Sequence, residues 1–310
     1  MRNQGSSDRS WNNMDYNILV KIFMTLNFMD IISSVSLVCS SWRSACCDPA
    51  LWTKLDLSTL SPDSNDVLSK KYTLSNDESG ILTKILKSAL NLSRGNVTCL
   101  VFNYFISIND EHLVCASERS PNLKRLILPL NWHQLTESGI QQSFKMWEAL
   151  ESLTVPSVIA PFKIMEAIGS YCKSFSELKL QCFFNLNFAV PLTKNVPKLK
   201  VLSLRGTMVH NQAMIFILDN FKHLEVLNMC HCQMKEVYQY EVGFTLYREI
   251  DPPIIEKSSR LKKFLTCQRD TCNMCKWRPY NERVLDWAEF ELKCWREDEV
   301  SSLAHGPENC

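Results

Sequence analysis

Leu199-Lys200-Val201-Leu202-Ser203-Leu204 carries the pattern that decides the fold, with apolar residues fixed at the first, fourth and sixth places. The same pattern starts at 97 (VTCLVF), 123 (LKRLIL), 150 (LESLTV), 175 (FSELKL) and 224 (LEVLNM), at spacings of 26, 27, 25, 24 and 25 residues. Self-similarity at such a period marks a chain of stacked units, each too small to bury its apolar face alone. Alternation along an extended chain puts the fourth and sixth residues of each hexad on one side of a short strand and the residues between them on the other. Pro121 and Pro197 lie just before the strands at 123 and 199; proline lacks an N–H and disfavours helix in the residue before it, so a returning helix stops there. Ile81, Leu82, Ile85, Leu86 and Leu90 recur at helical spacing and predict an outer helix over 81–92, ahead of the first hexad. The next strand candidate, LKKFL at Leu261, comes 37 residues after Leu224, which predicts an insertion at about 238–258.

The hexads resemble those of leucine-rich repeats of the cysteine-containing subclass. In that family the ninth residue is Asn or Cys and bonds the backbone of the turn; Asn131, Thr207 and Cys232 stand there, whereas Phe105, Val158 and Phe183 depart from it. The resemblance implies an α/β fold: a right-handed horseshoe solenoid with a parallel concave sheet over residues 97–266. The residues between the leucines then face the concave side. Arg125, Ile127, Thr154, Glu177, Lys179, Gln181, Ser203, Arg205 and Asn228 are the candidate substrate-binding row, alongside Ser152, Val201 and Cys230. Glu177, Lys179 and Arg205 are expected to read a charged or phosphorylated segment through charge-assisted bonds.

Ahead of the repeats, Ile18, Leu19, Ile22, Phe23 and Leu26 predict a helix of about three turns with one apolar stripe. Asp30 is read as the N-cap of a second helix carrying Ile31, Ile32, Val35 and Val38. Some fifty residues cannot hide this much apolar surface, so a partner is expected. In order, Ile22-Phe23, Leu26, Val38-Cys39, Trp42-Arg43 and Leu51-Trp52 resemble an F-box, the helical module that attaches substrate-recruiting subunits to the Skp-type adaptor of cullin–RING ubiquitin ligases. The opening departs from the family pattern, with Asn13-Met14 in place of Leu-Pro, while Cys46-Cys47-Asp48-Pro49 is similar to plant F-box proteins with leucine-rich repeats. The resemblance implies a three-helix module over 11–57. Its adaptor-binding set would be Met14, Ile18, Leu19, Ile22, Phe23, Leu26, Val35, Val38, Cys39, Trp42, Leu51 and Trp52.

The polar stretch 58–79 reads as a linker, so 58–96 holds the linker and the first outer helix, and 267–310 a C-terminal cap or tail. Val284, Trp287, Ala288 and Cys294 recur at near-helical spacing and fit a cap over the open end of the sheet, or a binding tail. A 310-residue chain with 45% hydrophobic and 22% charged residues is that of a folded protein of about two domains. A formal net charge of +1 offers no broad attraction to nucleic acid or anionic lipid. The opening MRNQGSSDRSW lacks a signal-peptide core and no apolar run reaches a membrane span of ~18 residues, so cytoplasm or nucleus is expected, with no membrane partner.

Fourteen cysteines stay reduced in that compartment. Cys267, Cys272, Cys275 and Cys294 could complete a tetrahedral zinc site, but the second C-x-x-C of such sites is missing, so free thiols, no metal and no other cofactor are expected. The eight glycines are scattered, and neither G-x-S-x-G nor H-E-x-x-H occurs, so no catalytic role is expected. The sequence thus points to a non-catalytic substrate-recognition subunit of a Skp–cullin–F-box ligase, with adaptor, cullin, RING protein and an unidentified protein substrate as partners. The alternatives are a repeat scaffold or ligand sensor outside any ligase, and a metal-binding regulator using the C-terminal cysteines.

Overall fold

The computed structural model of the chain describes residues 11, 14–60, 78–156, 162–237, 244–247 and 250–267. Three short helices open it: α1 (Tyr16–Phe23), α2 (Phe28–Ser33) and α3 (Ser40–Ala45). The Asp15 carboxylate accepts from the backbone of Asn17 and Ile18 and starts α1. The cap of α2 is Asn27, whose side-chain oxygen accepts from Asp30 N at 2.9 Å, so Asp30 sits one turn inside the helix it was expected to begin. Asn27 Nδ2 donates back to the Asp30 carboxylate at 2.8 Å, which explains why either residue reads as a cap. Trp52 closes the module from below, fully buried, with its indole N–H donating to Cys46 O at 2.6 Å.

The repeats then alternate strand and helix: β1 (Lys54–Asp56), α4 (Glu78–Ser93), β2 (Cys99–Val101), α5 (Asp110–Arg119), β3 (Arg125–Ile127), α6 (Glu137–Met146), β4 (Ser152–Pro156), α7 (Phe162–Tyr171) and β5 (Glu177–Gln181). From there each turn gains a second short strand: β6 (Phe183–Phe184), α8 (Leu186–Asn195), β7 (Val201–Ser203), β8 (Met208–His210), α9 (Asn211–Asn220), β9 (Val226–Asn228) and β10 (Gln233–Val237). The chain closes with β11 (Phe244–Tyr247), α10 (Pro252–Ser258) and β12 (Lys263–Leu265). An eight-stranded parallel sheet runs β1-β2-β3-β4-β5-β7-β9-β12, and a four-stranded sheet runs β11-β10-β8-β6. The large sheet begins at Lys54, one strand before the first hexad, because β1 pairs with β2 straight out of the helical module. The expected insertion separates into two parts. Its helix, α10, packs on α9 as an ordinary outer helix, while β11 is the addition, antiparallel to β10.

Leu100, Leu126, Leu153, Leu178, Leu202 and Leu227 form a buried ladder that packs with the helices into one core, continuous with the helical module through the packing of α2 on α4. The turn residues act as expected at two places: Thr207 Oγ1 donates to Leu180 O at 3.1 Å, and Cys232 Sγ to Leu204 O at 2.9 Å, each reaching the preceding repeat. The residue before each, Gly206 and His231, takes positive φ, +71° and +59°, to aim the donor. Phe183 closes its turn by pairing with Met208 instead. Asp110 ties neighbouring helices together by accepting from Thr136 N at 2.8 Å and Thr136 Oγ1 at 2.6 Å, and a Cβ on Gly139 would collide with that carboxylate.

Candidate functional site

In α1 the apolar residues fall into two rows, because successive helix positions turn by 100°. Leu19 and Phe23 are buried in the module, with Phe23 against Trp42 at a ring separation of 5.4 Å. Ile18 and Ile22 lie on the next row and face outward, 51% and 40% exposed; Leu26 is exposed too, but it follows the end of α1 at Phe23, so the helix is about two turns long and not the three expected. Between α2 and α3, Leu37 and Val38 project at 67% and 53% exposure. These five side chains and Met24 are apolar and exposed on the helical module.

The predicted adaptor set therefore divides. Ile18, Ile22, Leu26 and Val38 are exposed; Met14, Val35, Cys39, Trp42 and Leu51 are half-buried; Leu19, Phe23 and Trp52 are interior, because they supply the apolar fill that so small a module needs. Sequence reasoning missed Leu37 and Met24. Leu37 adjoins the Val38-Cys39 motif, which was the one signal the sequence offered for it; its outward facing is set by packing. Cys39 Sγ lies 3.1 Å from Ser41 Oγ, and the hydrogen bond from Ser41 holds the thiol below its usual range. Cys46, by contrast, is pushed up to about 12 by burial.

The second candidate surface is the face of the large sheet away from the helices. Strict register builds two rows across it: Cys99, Arg125, Ser152, Glu177, Val201, Val226 and Lys263, and beside it Val101, Ile127, Thr154, Lys179, Ser203, Asn228 and Leu265. Arg125 donates to the Glu177 carboxylate at 3.2 Å, and Ser152, which stands in register between them, is buried. Val101, Ile127 and Tyr104 cluster at one end, with Tyr104 Oη 3.4 Å from Gln181 Oε1; Val201 and Val226 pack with Leu265 at the other. The Asn228 side chain accepts from Cys230 N at 2.9 Å and is occupied by its own turn.

The row is mixed, as expected, but its charged members do not stand open to a passing segment. Arg125, Glu177 and Gln181 are half-exposed, whereas Ile127, Thr154, Ser203 and Asn228 are buried, and Lys179 and Arg205 are 1% and 3% exposed. Glu177 is held by Arg125, and cations so withdrawn from water are not free readers of a passing segment.

Cys267 Sγ accepts from His231 N at 3.2 Å; Cys272, Cys275 and Cys294 lie outside the described residues, as do Val158 and the tail 268–310. Among the described residues, no group of three or more His, Cys, Asp or Glu is placed to hold a metal, and no helix is long and apolar enough to cross a membrane.

A family model described as F-box-like matches residues 16–58, which contain the exposed apolar surface. An F-box/LRR-repeat protein of Arabidopsis thaliana is 38% identical over 95% of this chain and 96% of its own length. A putative F-box protein of the same plant is 27% identical over 94% of this chain and 96% of its own. Among solved structures, an internalin C2 from Listeria monocytogenes aligns over 48% of this chain and 58% of that one, at 14% identity and a TM-score of 0.29.

Proposed function

Since the chain belongs to the plant F-box/LRR-repeat family, we propose that it works as the substrate-recognition subunit of a cullin–RING ubiquitin ligase. An F-box joins a Skp-type adaptor, and the adaptor joins the cullin and its RING protein. The observation that carries the reading is the exposure of Ile18, Ile22, Leu26, Leu37 and Val38, apolar side chains that the module leaves in water and a partner would cover. The repeats then hold the client, and the chain performs no chemistry of its own. It raises the local concentration of client lysines at the charged conjugating enzyme, an effect of proximity alone. The setting is the cytoplasm or nucleus.

Affinity purification of the full chain beside an I22D/L37D variant tests this reading. The wild-type chain is expected to bring down the Skp-type adaptor and cullin, and the variant to lose both while keeping its repeat-bound clients. Recovery of clients without adaptor or cullin from the wild-type chain would instead support a scaffold or ligand sensor outside any ligase.

A further inference from the structure

Where an outer helix gives way to the next strand, the same five positions recur in each repeat, and stacking brings those of neighbouring repeats about 5 Å apart. In the turns 121–125, 148–152 and 173–177 these positions hold three cations and three carboxylates. All six are paired between turns: Lys124 with Glu151 at 3.0 Å, Arg125 with Glu177 at 3.2 Å and Lys173 with Glu148 at 3.5 Å. The equivalent turns of the last three repeats, 197–201, 222–226 and 259–263, break that balance. They carry Lys198, Lys200, Lys222, Arg260, Lys262 and Lys263 against one carboxylate, Glu225. Lys262 takes Glu225 at 2.7 Å, and Arg260 donates to Leu218 O and Phe221 O at 2.6 and 2.9 Å, closing the end of α9. Lys198, Lys200, Lys222 and Lys263 are left exposed, with no ion-pair partner among the described residues. The backbone holds these turns in one stack: Glu225 N and Val226 N donate to Lys200 O, and Lys263 N donates to Glu225 O. Like charges fixed so close repel one another, and an anion laid across them relieves that repulsion.

We propose that this basic rim, at the end of the solenoid away from the helical module, is a docking site for an acidic segment of a protein. The three turns span two strand spacings, about 10 Å, which three or four extended residues cross, so a short run of Asp and Glu matches the unpaired lysines. The residues favour a protein over nucleic acid. The four open cations are all lysines, point charges without the guanidinium fork that grips phosphate through two bonds, and the three turns contain no Phe, Tyr or Trp on which a base could stack. That the acidic segment belongs to a client rests on the recruiting role proposed above; the charge match itself does not.

Fluorescence anisotropy of a labelled peptide carrying six consecutive glutamates, titrated with the purified full chain at about 50 mM salt, tests the site without the adaptor, so its outcome is separate from that of the ligase reading. A K198Q/K222Q/K263Q variant is compared with a K21Q/K84Q/K145Q variant, which loses the same charge at exposed lysines on α1, α4 and α6. The wild-type chain and the second variant are expected to bind the peptide equally, and the rim variant about tenfold more weakly. Carbodiimide cross-linking of the same peptide to the wild-type chain should map to Lys198, Lys200, Lys222 or Lys263. Equal affinity of the two variants, no binding by the wild-type chain, or cross-links confined to other lysines would overturn the proposal. Tighter binding of an oligothymidylate of equal charge than of the peptide would overturn it in favour of nucleic acid.

Discussion

Leu37→Asp is the substitution that best isolates the outer surface of the helical module. Leu37 is 67% exposed in the single-turn segment between α2 and α3, so its side chain contributes little to the module's own core. Covering the remaining two-thirds of a leucine in an interface is worth about 1–2 kcal/mol, from ~1.5–3 kcal/mol for burying the whole side chain. A carboxylate in its place must also be desolvated, which brings the loss to about 2–3 kcal/mol. The dissociation constant for a Skp-type adaptor should therefore rise roughly 30- to 150-fold. The unfolding temperature should hardly move, since an exposed substitution of this kind stays within about 0.5 kcal/mol. Phe23→Asp is the contrasting control, because Phe23 is 1% exposed and packs on Trp42; it should unfold the module, losing the adaptor for a different reason. Calorimetric titration with the purified adaptor and a thermal melt of each variant separate the two effects. Binding by both Leu37→Asp and Ile22→Asp within a factor of about two of wild-type, less than ~0.5 kcal/mol, would refute the reasoning.

Gly169→Ala should destabilise the repeats by about 1–3 kcal/mol in a urea titration, because the added Cβ meets the Asn195 carbonyl oxygen, a backbone atom that cannot swing aside; an unchanged midpoint contradicts this. Asp110→Ala removes both acceptors of Thr136 at the start of α6 and should cost about 1–2 kcal/mol in the same assay, and a cost near zero would show that water replaces them. Burial pushes the Asp56 carboxyl up, but the hydrogen bonds from Lys54 and Ser58 outweigh it and leave the group below its usual range. With the folded value depressed, its stabilisation is present above about pH 4 and lost as the pH falls through that folded value, so Asp56→Asn should flatten the acid limb of stability against pH; an identical limb would discount the pair. Iodoacetamide should label the half-exposed, acid-shifted Cys39 before Cys46 and Cys172, both pushed up to about 12 by burial, and bound adaptor should protect it; equal rates would contradict the assignment. The protein should purify with less than about a tenth of an equivalent of zinc, and stoichiometric zinc lost on Cys272→Ser would overturn that expectation.

The solenoid was legible because its leucines repeat in phase: Leu100, Leu126, Leu153, Leu178, Leu202 and Leu227 take the same place in six hexads and form one buried ladder. The strand Lys54–Asp56 escaped detection because a terminal repeat is atypical: only Leu55 and Leu57 mark it, and Trp52 just before them belongs to the helical module. The helical module was legible in its order of motifs but not in its facing. Periodicity places Ile18 and Leu19 within one broad stripe, and only packing decides that Leu19 turns inward and Ile18 outward. The row on the far face of the sheet was identified residue by residue, yet its burial could not be read from the hexads, since alternation says which side a residue takes and nothing about what lies above it. Lys179 reads in sequence as an exposed cation and is among the most deeply buried side chains of the fold.

Hydrogen exchange on the full chain, with and without a purified Skp-type adaptor, tests the central claim most directly. The account predicts a one-to-one complex at micromolar concentrations, with new protection confined to residues 18–26 and 34–42 and none on the strands of the large sheet. Failure to form a complex, or protection falling on Arg125–Ile127 and Glu177–Gln181 while the helical module stays unchanged, would contradict it.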